Sequence, residues 1–255
     1  MPSIYPMALL TLALSLGLWG AVLYILAGRT KRYFWLLLPA LPLSAAVNLL
    51  VKRPLAMWVS QWAGLSPALS PESPLWFLLF LALLSPVTEE AIKALPLIWP
   101  RWRAWLREPS SALWTGFALG LGFGLGEAAY VAWSVAQVPA YAGYPWYAFT
   151  GYLGERLQVC FVHGALTAIL AAGLQRGGWG IAWGYGGAVL LHLLTNAGAI
   201  LYQLRLIPAW GASLHLVAVL LLLALILEGL RSRAKRLSPA AQPPEIVYYQ
   251  RGEDT

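Results

Sequence analysis

The sequence is short of cysteine, of charge and of the common protease signatures, and each shortage excludes something. Its single cysteine, Cys160, rules out an internal disulfide and a Cys-based metal cluster, and its place in the middle of an apolar run marks a small packing residue. Only 11% of the 255 residues are Asp, Glu, Lys or Arg, whereas 60% are hydrophobic. Soluble domains carry about 25% charged residues, so this is the composition of a polytopic membrane protein. The net charge of +7 comes with no zinc-finger spacing and no aromatic-basic sheet pattern, and no nucleic-acid partner is expected. HExxH is missing, as are the Ser-His-Asp and Gly-Asp patterns, which speaks against the usual zinc-protease helix and against serine and aspartyl intramembrane proteases.

What the chain does have is seven long apolar stretches, at about 5–27, 33–51, 75–99, 111–137, 152–174, 179–203 and 210–230. The predicted fold is therefore all-α, a polytopic bundle of about seven transmembrane helices in a lipid bilayer. The first stretch has no basic segment before it and is followed by Arg29, Lys31 and Arg32, so it reads as a retained helix and not as a signal peptide. Basic residues collect in alternate connections: Arg29, Lys31 and Arg32; Arg101, Arg103 and Arg107; Arg176; and Arg231, Arg233, Lys235, Arg236 and Arg251. The other connections hold only Lys52, Arg53 and Arg205. That asymmetry predicts an N-out, C-in orientation, with the cell's inner membrane as the expected location. Residues 52–74, with Trp58, Trp62 and several prolines, are expected to form an outer loop carrying a short interfacial helix, and the aromatic 138–150 loop also lies outside. Residues 1–236 read as one membrane domain, and 237–255, with Pro239, Pro243 and Pro244, as a flexible cytoplasmic tail.

The chain is organised around residues 75–99, where Glu89, Glu90 and Lys93 interrupt an otherwise apolar span. Ionisable groups inside a membrane cost at least a few kcal/mol each by insertion scales, so they face a cavity or a partner and mark function. Glu89 and Lys93 are spaced i,i+4 and are expected to pair, while Glu90 is turned about 100° away. A structural salt bridge, a helix break at Pro86 or a span too short to cross are the plainer readings. Further along come Glu127, then Glu155, Arg156 and His163, then His192 with Asn196 on one helix face. At about 1.5 Å per residue, Glu89 and Glu90 lie roughly 15 Å from Trp99 and His163 a little over 15 Å from Tyr152, with His192 and Glu127 about 20 Å from Trp179 and Trp114. Four helices thus bring acid or imidazole to similar depth. One buried His alone reads as a packing residue; the set together reads as a site. His215 has no acidic companion and is expected to be structural. Glu155 and Arg156 sit near an outer end, where pairing or snorkelling suffices, with a supporting role open for Arg156. Gly116, Gly120 and Gly124 form one small-xxx-small line and Gly122 with Gly126 another, which allows close helix approach and makes this span the expected wall of a wet cleft.

Carboxylates and imidazoles around such a cleft suit the activation of water, His can share a proton or bind a metal, and an Asn amide can donate to a developing oxyanion. Glu89-Glu90-Ala-Ile-Lys93 resembles the EExxK motif of the PrsW family of intramembrane proteases, and Phe123-Gly-Leu-Gly-Glu127 its FxxxE motif. His163 resembles its later His-containing helix, and His192-Leu-Leu-Thr-Asn196 the HxxxN motif shared with CAAX-prenyl endopeptidases of the CPBP or Abi clan. The resemblance spans residues 75–203. It implies an endopeptidase acting on single-span or membrane-anchored proteins, with Glu89, Glu90, Glu127, His163, His192 and Asn196 as candidate catalytic residues and Lys93 and Phe123 in support. Glu89 or Glu90 would activate water with His163, His192 and Asn196 would steady the oxyanion, and Lys93 would hold Glu89. Two chemistries stay open: a zinc ion, with Glu127, His163 and His192 as candidate ligands, or metal-free glutamate catalysis. A proton- or cation-coupled transporter and a non-catalytic scaffold of the same clan are the alternatives; an inverted repeat, common in transporters, is not visible.

Overall fold

The computed structural model describes residues 3–237, so that of the expected tail residues 238–255 lie outside the described residues. Those described form helices and no strand: α1 (Ile4–Leu26), α2 (Leu37–Val47), α3 (Arg53–Ala63), α4 (Leu75–Lys93), the single turn α5 (Pro100–Arg103), α6 (Pro109–Ala136), α7 (Thr150–Arg176), α8 (Trp179–Gln203) and α9 (Ala209–Leu237). With short 3-10 turns added at their ends, they make seven stretches long and apolar enough to cross a membrane. Leucines such as Leu9, Leu38, Leu50, Leu83, Leu221 and Leu225 are exposed on the outside of the bundle, where lipid replaces water as the solvent.

Helices α6 and α7 pack against each other at the centre, with α1 and α2 on one side and α4, α8 and α9 on the other. The two glycine lines of α6 serve two different neighbours. A Cβ on Gly120 would come within 2.8 Å of Gly164 Cα on α7, and one on Gly122 within 2.8 Å of Leu37 Cα on α2. Without Cβ atoms the backbones close to van der Waals contact, the attraction that holds helices together where no hydrophobic effect acts between them. The glycines therefore seal α6 between its neighbours, and α6 reaches the cavity through Glu127.

A correction concerns residues 52–74. Only residues 64–74 form a loop. A one-turn π-helix, Asn48–Lys52, joins α2 directly to α3, so residues 32–63 make one continuous stretch. The cause lies in Pro54: it has no N–H to give the Leu50 carbonyl, and the ladder slips to an i→i+5 bond from Arg53 N–H to the Asn48 carbonyl. Lys52 consequently sits inside the bundle and not in an outer connection. Trp58 and Trp62, on α3, remain exposed as interfacial residues would be. Pro86 does not break α4, which runs through it to Lys93.

Candidate active site

Four helices meet at the polar cluster. Pro86 and the adjacent turn leave α4 intact, and its last turn presents Glu89 and Glu90, adjacent in sequence, to opposite environments. Glu89 lines a cavity of about 750 Å³. Glu90 is fully buried and stays outside that cavity's lining. The expected ion pair is accordingly exchanged. Lys93 donates to Glu90 Oε1 at 2.7 Å across i,i+3, and Glu89 Oε1 instead accepts from Lys52 Nζ at 2.7 Å. Residues three and four apart are both neighbours on a helix, so either pairing was open to Lys93; with Lys52 on Glu89, Lys93 takes Glu90.

From Glu90 a chain of alternating donors and acceptors crosses the bundle. His192 Nδ1 stands 2.7 Å from Glu90 Oε1, and because a carboxylate only accepts, Nδ1 carries the proton and Nε2 the lone pair. Lys93 Nζ lies 2.8 Å from His163 Nδ1, and because an ammonium only donates, His163 carries its proton on Nε2, which donates to Glu127 Oε2 at 2.9 Å. Arg156 holds Glu127 from the other side at 3.1 Å and reaches Glu155 at 2.6 Å. The outer-end pair foreseen in the sequence thus reaches inward, with Arg156 in the supporting position left open for it. The Phe123 ring covers this chain: Lys93 Nζ lies 4.7 Å from its centroid and the His163 ring packs edge-on at 4.9 Å. The two imidazoles are 5.5 Å apart, centre to centre.

Two buried oxygens, Glu89 Oε2 and Glu90 Oε2, accept no hydrogen bond from the protein. Glu89 Oε2 faces His192 Nε2, the lone-pair nitrogen, across 3.9 Å. The cavity above that pair is walled by α7, α8 and α9, and reaches the end of the bundle where α7 begins, α8 ends and α9 begins, at Gly151, Tyr202 and Ala209. Asn196 lines it one turn beyond His192. His215 is elsewhere: its Nε2 lies 2.7 Å from the Leu194 carbonyl, tying α9 to α8 where Gly198 makes room for the ring.

Among the described residues, Glu89, His163 and His192 each bring one metal-ligating atom within 4.8 Å of the others. The carboxylate of that group is Glu89, not Glu127, whose oxygen is taken by His163 and Arg156. The set fits a catalytic zinc ion in donor type and number, three protein ligands with one position left open. Glu89 Oε2 and His192 Nε2 are unengaged, and Glu90 backs His192 as carboxylates back metal-bound imidazoles. His163, whose two nitrogens are held by Lys93 and Glu127, would have to give up one of those partners to join them.

Lys52 is the site residue the sequence reading missed. It borders Arg53 at the end of an apolar run, where basic residues ordinarily mark the membrane surface. Pro54, two residues on, was the one signal of a locally altered helix. No curated protein and no solved structure matches the chain. The family described as PrsW family intramembrane metalloprotease matches residues 6–226. That range contains every residue of the cluster, and the chain belongs to this family of membrane-embedded proteases.

Proposed function

We propose that the protein hydrolyses a peptide bond of a membrane-anchored protein, with Glu89 as the base that activates water. The observation that carries this reading is the pair of unengaged atoms, Glu89 Oε2 and His192 Nε2, facing each other across 3.9 Å at the floor of the cavity. A water hydrogen-bonded to both is oriented by His192 and gives its proton to Glu89. Its oxygen bonds to the carbonyl carbon, and the C=O π pair moves onto the carbonyl oxygen. As the intermediate collapses, the C–N bond breaks and the proton held by Glu89 passes to the leaving nitrogen. Glu90 and Lys93 fix the His192 tautomer and hold His163; Glu127 and Arg156 extend that hold to α6 and α7. Asn196, on the same cavity wall, donates to the carbonyl oxygen. A zinc ion held by Glu89, His163 and His192 would supply Lewis-acid polarisation of water or carbonyl in place of the base role of Glu89.

The test is purified protein reconstituted with single-span substrates, the products mapped by mass spectrometry and the metal content measured in parallel. Cleavage within or beside the span supports the reading, and one equivalent of zinc, lost on His192→Ala, supports the metal form. Full cleavage by a preparation assayed as metal-free removes zinc from the mechanism, and no cleavage of any substrate by folded protein removes the function.

An N-out, C-in orientation, in the cell's inner membrane, belongs to the same proposal. With Lys52 inside the bundle, only Arg53 and Arg205 remain among the basic residues assigned outside, so the asymmetry sharpens. Reporters fused in the 138–150 loop and at the C-terminus should read outside and inside respectively; the reverse result overturns it.

A further inference from the structure

We propose that Lys52 is a catalytic residue, its ammonium orienting Glu89 through one N–H and receiving the carbonyl oxygen of the scissile bond with another. The inference rests on the reading above, in which Glu89 activates water. Hydrolysis moves an electron pair onto the carbonyl oxygen, and donors already aimed at that oxygen supply much of the rate. His192, expected from the sequence to be one of them, is turned to another use. Its Nδ1 is held by Glu90, and Nε2, the lone-pair nitrogen of that tautomer, faces Glu89 Oε2. Lys93 is fully buried against Glu90 and His163, beneath Phe123, and does not line the cavity. Arg156 borders the cavity too, but its two terminal nitrogens are held by Glu127 and Glu155, and its one unpartnered donor, Nε, is buried.

Lys52 combines a place on the cavity lining with donors to spare. It lines the cavity, its side chain is 16% exposed, and it uses one of its three N–H donors, at 2.7 Å, on Glu89. The atom it grips is the oxygen of Glu89 that does not face His192. Nucleophile and oxyanion donor therefore share one carboxylate as their common anchor, and a carbonyl attacked from Glu89 Oε2 turns its oxygen towards Nζ. The fold brings the lysine there by a local irregularity. The π turn forced by Pro54 inserts one residue into the helix, about 100° of phase, between α2 and Lys52's neighbours on α3. π-Helical turns of this kind recur at functional sites. Asn196 on α8, which also lines the cavity, is the second donor.

The experiment uses Lys52→Cys in the full-length reconstituted protein with the substrate cleaved by wild type. Cys160 is buried and spares the reagent, so alkylation falls on residue 52. The thiol variant should lose kcat by about 10²- to 10³-fold, the usual loss for one oxyanion donor, with KM within a few-fold. Bromoethylamine, which rebuilds an ammonium of nearly lysine length, should restore most of the rate, whereas iodoacetamide should restore none. Restoration needs a folded pocket, and so separates the ammonium from any general effect on folding. A phosphinate peptide, carrying an anionic tetrahedral centre, should lose affinity for Lys52→Met far more than the matched uncleavable amide does. Wild-type kcat in Lys52→Met, or equal loss of affinity for both peptides, overturns the assignment. If wild type cleaves and Glu89→Gln is inactive while Lys52→Met is fully active, Lys52 alone has been misassigned. If Glu89→Gln is also fully active, the reading of Glu89 falls with it.

Discussion

Glu89→Gln should reduce kcat by about 10²- to 10⁴-fold, the range a general base contributes, while the protein still inserts, folds and binds substrate. The substitution is chosen by geometry. Gln keeps the side-chain volume and retains a carbonyl oxygen to accept from Lys52 Nζ, but it places a poor base opposite His192 Nε2. Glu90→Gln serves as the contrast. Lys93 and His192 both converge on Glu90 Oε1, and one amide oxygen can receive both. That variant should be less stable, yet keep a rate well above that of Glu89→Gln. His215→Ala, which loses only the tie to the Leu194 carbonyl and the packing on Gly198 between α8 and α9, should cleave close to the wild-type rate. Initial rates on one substrate, with thermal melting to verify the fold, decide among them. Full activity in Glu89→Gln would remove the base from the mechanism.

The second large effect is one of stability. Lys93→Met should destabilise the protein by about 3–5 kcal/mol, because removing one partner of a buried ion pair leaves the other charge uncompensated. Both Lys93 and Glu90 are completely buried, so no solvent relieves the loss. His163 Nδ1 loses its donor at the same stroke, and with it the hold that aims Nε2 at Glu127. Adding Glu90→Gln to Lys93→Met should recover part of the stability, a coupling expected only between groups in contact, but none of the lost activity. Denaturation in mixed micelles measures both variants. A Lys93→Met protein as stable as wild type would mean that the pair does not hold the helix.

Much of this arrangement was legible in the primary structure, for identifiable reasons. Glu89, Glu90, Glu127, His163 and His192 stand out because each interrupts an apolar run, and counting residues along four helices was enough to bring them to one depth. Small-residue lines announce close approach, and both lines on α6 do make it. What could not be read was direction. Spacing does not say which neighbour a glycine face meets, and Gly120 and Gly122 prove to seal the helix on both sides. Nor could it say which glutamate Lys93 would take, since i+3 and i+4 are equally near; a second lysine, Lys52, takes Glu89 and leaves Glu90 to Lys93. Lys52 was hidden by its position, since a basic residue at the end of an apolar run normally signals the interface, and only the altered ladder at Pro54 turns it inward.

The cavity has its mouth at one end of the bundle, at Gly151, Tyr202 and Ala209. Below its floor the centre is closed by Phe123, Phe117 and Trp114, with Leu119 and Leu166, all at most 2% exposed. A membrane that carries a voltage cannot tolerate a continuous file of water, because each elementary charge moved across 100 mV releases about 2.3 kcal/mol. A blind pit meets that condition. Solvent and a polypeptide can be admitted to the buried carboxylates, while the plug of aromatic and aliphatic side chains keeps the bilayer electrically insulating through every round of hydrolysis.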